Sequence, residues 1–562
     1  MLAAAAADSS LRLDASGVDY ALIALYFVFV LGIGYMARRA ISNSLDFFLS
    51  GRSLPAWITG IAFISANLGA IEIMGMSANG AQYGMPTVHY FWVGAIPAML
   101  FLGVVMMPFY YGSKVRSVPE FMLRRFGPPA HLVNAISFAV AQILIAGINL
   151  FLLATIVNVM LGWPIPVSVV VAAVIVLSYI TLGGLSAAIY NEVLQFFVIV
   201  AALLPLTLLA LHRVGGWQGL SERISDPEQM TAWPGNELAG FDSSILSVIG
   251  IVFGLGFVLS FGYWTTNFVE VQRAMASKSM NASRRTPIIG AFPKMFVPFI
   301  VIIPGMIAAV IVPELRQGKA DGTADYNNAL LYLINDLLPT GMLGVAITGL
   351  LASFMAGMAA NVSAFNTVFS YDIWQDYIVK DRPDGYYLGV GRIMTVVATV
   401  GAIGTAFIAS QYSNLMDYLQ QLFSFFNAPL FATFILGMFW KRMTPTAGWV
   451  GLVAGTATAV TVAFLSEDAF GSFSVGVLPL SGQGVSFVGA GAAFVVDILV
   501  SYFVTLATRP KPESQLVGLV YSLTPKESFH DPRDDRESWY QRPTLLAGIA
   551  LAMVIVLNFM FG

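Results

Sequence analysis

Runs of about 20 apolar residues recur from one end of the chain to the other, each long enough to cross the roughly 30 Å hydrocarbon core of a bilayer. They lie near 18–37, 55–82, 87–112, 131–160, 164–183, 187–212, 246–274, 287–313, 338–374, 388–410, 414–439, 445–465, 483–507 and 543–562. The chain is therefore expected to be an all-α integral membrane protein with about fourteen transmembrane helices. Composition agrees: 57% of the 562 residues are hydrophobic and 10% are charged, against roughly 25% charged in a soluble domain. Cysteine is absent, which excludes disulfides, thiol catalysis and cysteine metal sites. No basic region precedes the first apolar run, so no cleavable signal peptide is expected.

Lys and Arg concentrate in cytoplasmic loops near helix ends. With the N-terminus outside, the inside loops collect 22 of the 28 basic residues, among them Arg124, Arg125, Arg273, Lys278, Lys441, Arg442 and six between 509 and 542. The opposite orientation reverses that balance, so both termini are expected to face out of a plasma (inner) membrane. The loops at 213–245 and 314–337 are acidic and punctuated by Gly and Pro, as solvated connectors are. The charged segment 508–542 is too short and polar to bury a core. The four histidines (89, 131, 212, 530) lie near helix ends or in loops and show no metal-ligand spacing. No nucleophile–base pair is evident either. An enzyme is not expected, nor is nucleic acid as a partner.

A charge at the bilayer centre costs about 2.5–3.5 kcal/mol on insertion scales, so ionisable residues within spans face protein or water. Glu72, Glu192, Lys294, Asp417 and Asp497 qualify as such residues. Asp497 has no polar company in its run and reads as a structural residue. Asn67 precedes Glu72, and Gln420 follows Asp417 on the same helical face. The stretch FISANLGAIEIMGMSANG (63–80) carries Asn67, Glu72, Asn79 and three glycines. A second glycine-broken stretch, GLGFVLSFGYWTTNF (254–268), begins five spans later. Helices that come apart at such places free backbone groups for ions and solutes near the midplane of carriers built from two inverted halves. Glycines also serve close helix packing alone.

Several stretches resemble the sodium/solute symporter family, and within it the sodium/glucose cotransporter branch. They are DFFLSGRSLPAW (46–57), ISAN (64–67), SVPEFMLRRFG (117–127), YITLGGLSA (179–187), QRAMASKS (272–279), FPKMFVP (292–298), MDYLQQ (416–421) and FWKRMTPTAG (439–448). The resemblance runs from about residue 18 to the end. It implies a leucine-transporter-like core of five plus five inverted helices, with one extra helix before and three after. The corresponding segments are 1–45 for the extra helix, 46–212 and 246–439 for the two repeats, 213–245 for an external loop, and 440–562 for three final helices with the linker 508–542.

For a sugar site, the resemblance implies Asn67, Tyr263, Trp264, Asn267, Lys294, Asp417 and Gln420, with Tyr263 as an inner gate stacked on a pyranose and Ser260 at a small polar position. Two positions depart from the glucose type: Glu72 stands where the sugar carriers have Gln or His, and Phe91 where they have Glu. An acid has moved from one span to the other, to hold sugar hydroxyls, to pair with Lys294 or to carry a proton. For the coupling sodium ion, the resemblance implies carbonyls at Ser65, Leu68 and Ser353 and two hydroxyls. LASFMAGMAANVSAFNTVFSYDIW (351–374) places those hydroxyl positions at Ala356 and Gly357, which have none. A hard cation wants several oxygen ligands, so water, Asn361 or Ser363 must fill in. Glu192 falls where some relatives have an acid tied to a second ion. The expected activity is import of a monosaccharide or related polar solute by alternating access, driven by sodium. Proton coupling, uncoupled flux, a carboxylate or amino-acid substrate, and a sensor without transport remain alternatives.

Overall fold

The computed structural model describes residues 11, 13–38, 50–113, 115, 117–321, 324–467, 474–529, 531–532 and 538–562, without the side chains of 37–38, 178–184, 320–321, 526 and 528. Among these residues there are no strands, only isolated bridges such as Leu54 with Ser277. The membrane helices are α1 (Gly17–Arg38), α2 (Ala56–Asn67), α3 (Ile71–Tyr83), α4 (Met85–Gly112), α5 (Pro128–Leu161) and α6 (Ile165–Val214). Then come α7 (Ser244–Thr266), the short α8 (Phe268–Met275), α9 (Met280–Ile311), α10 (Met342–Ile378), α11 (Asp384–Ala409) and α12 (Leu415–Phe439). The last three are α13 (Pro445–Leu465), α14 (Gly482–Ala507) and α15 (Pro543–Met560).

Twelve described helices are long and apolar enough to cross a membrane, and the bent pair α2–α3 makes a thirteenth span. The expected span at 164–183 corresponds to a shorter apolar segment, Ile165–Leu177, at the start of α6. Fourteen is reached only by counting it. The motif at 179–187 falls mostly on side chains outside the described residues, as do residues 46–49 of the first resembling stretch.

Both expected helix breaks are present, but only one sits on a glycine. α2 ends at Asn67, Leu68 caps it by donating its amide to Ile64 O (2.9 Å), and α3 leaves at 57° through a wide π turn over Ile71–Gly75. Gly69 lies in the gap, where a Cβ would stand 3.2 Å from Gly357 Cα on α10. In the second stretch the chain opens at Asn267, which is extended (φ −73°, ψ 118°) and caps α8 by accepting from Val269 N at 3.0 Å. Gly254, Gly256 and Gly262 do not break α7. A Cβ at these positions would press on Phe487 O, the Val93 side chain and Asn427 O, so they are contact glycines.

Two of the resembling stretches are joined by one side chain. Arg125, fully buried, donates to Gly437 O (2.8 Å), Trp440 O (3.2 Å) and Met443 O (3.2 Å), filling carbonyls at the end of α12 and in the turn that follows it. Asp497 has more polar company than its own run shows. It accepts from Thr433 Oγ1 on α12 (2.8 Å) and Ser501 Oγ (3.0 Å), bracing α14 against α12. The fold also groups His131 with Asp372 (Nε2 to Oδ1, 3.0 Å) and Asp376 (Nδ1 to Oδ2, 3.9 Å), a proximity invisible in the spacing of the histidines. Ser117 donates to the same Asp372 oxygen and Tyr377 OH lies 2.9 Å from His131 Nδ1, so the group ties the start of α5 to the end of α10.

α3 and α9 meet through small residues. Ser77 Oγ donates to Val301 O (2.6 Å), and a Cβ on Gly305 would overlap the Ser77 carbonyl oxygen. Overpacking costs about 1–3 kcal/mol where side chains can yield, and backbone yields less. Gly305→Val is expected to lower the detergent melting temperature sharply or abolish the monodisperse peak in size-exclusion chromatography. Gly404→Ala, in open space, should leave both unchanged.

Candidate functional site

Lys294 sits near the middle of α9, one residue after Pro293, where the helix turns between its two halves. Its Nζ donates to Glu72 Oε1 (2.6 Å) at the start of α3 and, more closely still, to Asn67 Oδ1 at the end of α2. The ammonium also lies 4.7 Å from the Phe91 ring centre and 5.3 Å from that of Trp264, within range of cation–π attraction. Asn67 Nδ2 in turn donates to Tyr263 OH (3.0 Å), and Tyr263 OH donates to Glu270 Oε1 (2.8 Å). A continuous polar chain therefore runs Glu72–Lys294–Asn67–Tyr263–Glu270, drawing on α2, α3, α7, α8 and α9.

This chain borders an internal cavity of about 80 Å³, room for several waters. Of the residues expected at a solute site, Asn67, Glu72, Ser260 and Tyr263 line it, as do Trp264, Asn267, Lys294 and Gln420. Asn267 has its Oδ1 committed to the α8 cap, which leaves its amide nitrogen as the group free to serve the cavity. Two expected residues lie elsewhere. Phe91 is fully buried behind Lys294, where it offers a ring face and no acceptor. Asp417 is absent from the lining and accepts from Gln483 Nε2 at the start of α14. Gln483 Oε1 accepts from the cavity-lining Tyr90, so a relay of two side chains links Asp417 to the cavity.

Of the ion positions, Gly357 lines the cavity and abuts Gly69, while Ser65, Leu68, Ser353 and Ala356 are buried around the helix break rather than in the lining. Asn361 reaches the lining and Ser363 does not. Glu192 is fully buried outside it and paired with Arg273, Nη2 to Oε1 at 2.5 Å and Nε to Oε2 at 3.3 Å.

Glu270 and Asn149 were not anticipated. Glu270 lies one helical turn before Arg273, 0% exposed, and its Oε2 has no hydrogen-bond partner. The sequence carried a signal in the acid at position 270, but 268–275 reads as the tail of an apolar run. Together with the Glu192–Arg273 pair, this chain sets three acids (Glu72, Glu192, Glu270) against two bases (Lys294, Arg273), one acid in excess. Asn149 is one of four amide side chains in α5, with Asn134, Gln142 and Asn158, and its sequence setting does not single it out.

The architecture is that of a multi-span membrane protein with a polar-lined cavity at a broken helix. The sequence profile of the sodium:solute symporter family matches residues 47–455, and the chain belongs to that family. It is a transporter rather than an enzyme. A sodium/glucose cotransporter of Vibrio parahaemolyticus is 29% identical over 476 residues, covering 81% of this chain and 87% of the relative. Sodium/glucose cotransporter 1 of Oryctolagus cuniculus is 27% identical over 543 residues, covering 90% and 81%. A solved Na+-coupled sialic acid symporter, substrate-bound and outward-open, shares the fold with a TM-score of 0.71 at 17% identity, over 88% of this chain and 99% of that one.

Removing one partner of a buried ion pair costs about 3–5 kcal/mol, because the other charge is left uncompensated. Lys294→Met is therefore expected to lower the melting temperature more than the double variant Lys294→Met/Glu72→Met. Strictly additive losses in that cycle would show that the two charges do not support each other.

Proposed function

We propose that this protein imports a monosaccharide or a similarly hydroxylated solute by sodium-driven symport. The observation that carries the reading is the cavity at the α2–α3 break, where Asn67, Glu72, Lys294 and Gln420 mix donors and acceptors beside the Trp264 and Tyr263 rings. Sugar hydroxyls both donate and accept, which this mixture suits. The Glu72–Lys294 pair also leaves these two opposite charges matched. A neutral polyol meets such a wall at less cost than a carboxylate or an ammonium group, each of which brings a charge the pair does not balance. The sugar relatives and the sodium-coupled neighbour point the same way.

Tyr263 then acts as the inner gate, held shut by Asn67 and Glu270. Opening inward requires those two hydrogen bonds to part. The first repeat at 46–212, the second at 246–439 and the final helices at 440–562 frame that movement in our reading. The membrane is the plasma (inner) membrane, with both termini outside. A second reading, proton coupling, is favoured by the excess acid. Glu72 and Glu192 are both salt-bridged, so Glu270 with its unpartnered oxygen is the acid that would carry the proton.

The experiment is uptake of labelled glucose and galactose into proteoliposomes, under an inward sodium gradient and under an equal potassium gradient. Concentrative uptake with sodium alone is expected. Uptake that follows a pH gradient instead would shift coupling to Glu270. Saturable binding without any flux would make the protein a sensor and overturn symport.

A further inference from the structure

The proposed sodium coupling, on which this inference rests, meets a difficulty at α10. Ala356 and Gly357 bring no side-chain oxygen, and a sodium ion held by loose backbone alone would be weakly bound. The structure supplies an oxygen from a different helix. Asn149 on α5 is 2% exposed, and its Oδ1 has no hydrogen-bond partner. The amide orientation follows from its other half, since Nδ2 donates to Ile145 O at 3.3 Å. Oδ1 therefore points away from α5's own backbone and toward the seam between Gly69 and Gly357. A Cβ built on Gly357 would lie 3.2 Å from that oxygen, and one built on Gly69 would lie 3.5 Å from it.

That placement has a simple steric meaning. A serine at 357 would project its hydroxyl into the space beside Gly69 that Asn149 Oδ1 already approaches. Glycine at 357 lets α10 sit against the broken helix, where a Cβ on Gly69 would be 3.2 Å from Gly357 Cα. The lost hydroxyl and the reaching amide are two halves of one exchange. Ser65, four residues before Gly69, adds a second buried hydroxyl with no partner. Buried polar atoms without partners are few in folded proteins and call for an explanation in each case. Here two of them flank the place where helical hydrogen bonding lapses between Asn67 and Ala70 and backbone carbonyls become available.

We propose that Asn149 Oδ1 is a ligand of the coupling sodium ion, completing at the Gly69–Gly357 seam a site that the α10 side chains leave short. The ligand class is a small hard monovalent cation, which takes neutral amide and carbonyl oxygens readily. Asn149 also lines the solute cavity, so the ion and the solute share one wall.

The test uses full-length protein in proteoliposomes and in detergent, with sodium alone as the probe in the second. Asn149→Leu keeps the volume and removes the oxygen; Asn149→Asp keeps an oxygen there. In Asn149→Leu the sodium concentration for half-maximal uptake is expected to rise at least about tenfold, with the sugar constant at saturating sodium moving far less. The thermal stabilisation that sodium gives purified wild type should also be lost. Asn149→Asp should retain sodium activation. If Asn149→Leu folds poorly, Asn149→Ala gives the same reading. An unchanged sodium constant in sodium-dependent Asn149→Leu would overturn the assignment and leave a water on that oxygen. A wild type indifferent to sodium in both assays would instead remove the sodium reading and this site together.

Discussion

A bilayer offers no water to a backbone amide or carbonyl, and that constraint organises this molecule. Helical hydrogen bonding lapses between Asn67 and Ala70, and such a lapse persists only where protein or a watery cavity encloses it. Everything assembled around it serves that enclosure. Gly357 lets α10 close over Gly69, Lys294 arrives from the turn in α9, and Asn67 and Tyr263 join the two breaks across the cavity. The polar chain braces the break, and the break sets the polar chain along the cavity.

Electrostatics gives the chain its shape. Lys294 would be costly alone at that depth; Glu72 neutralises it and Phe91 and Trp264 receive its remaining field through their rings. Phe91 thus offers Lys294 a ring rather than an acceptor, and the compensating carboxylate comes from Glu72. Deeper in, Arg273 satisfies Glu192 completely, while Glu270 is left to hold Tyr263 with one oxygen and nothing with the other. Tyr263 is therefore attached to a buried acid that has hydrogen-bonding capacity to spare.

Much of this was legible in the amino-acid order. Apolar run lengths located the spans to within a few residues for most helices, and the break at 68–70 announced itself through a glycine beside a buried acid. Eight of the expected solute residues do line one cavity. The failures share a physical cause: a side chain's partner lies on another helix. Asp417 and Gln420 share a helical face, yet Gln483, some sixty residues on, captures the aspartate. Glycines at 254, 256 and 262 look like break points and are contact points, because only the neighbouring backbone decides. Asp497 looks isolated until Thr433 arrives. Helix count was ambiguous where an apolar segment is short, as at Ile165–Leu177.

The central claim is that the chain centred on Lys294 and Asn67 is where the solute binds. Equilibrium binding of tritiated glucose and galactose to purified protein in sodium buffer tests it most directly, comparing wild type with Lys294→Gln, which keeps a donor and removes the charge, and with Asn67→Ala. Saturable binding of one sugar by wild type, weakened at least about tenfold in both variants while they remain folded, is the predicted result. Equal binding by all three proteins would contradict the account and place the solute elsewhere in the fold.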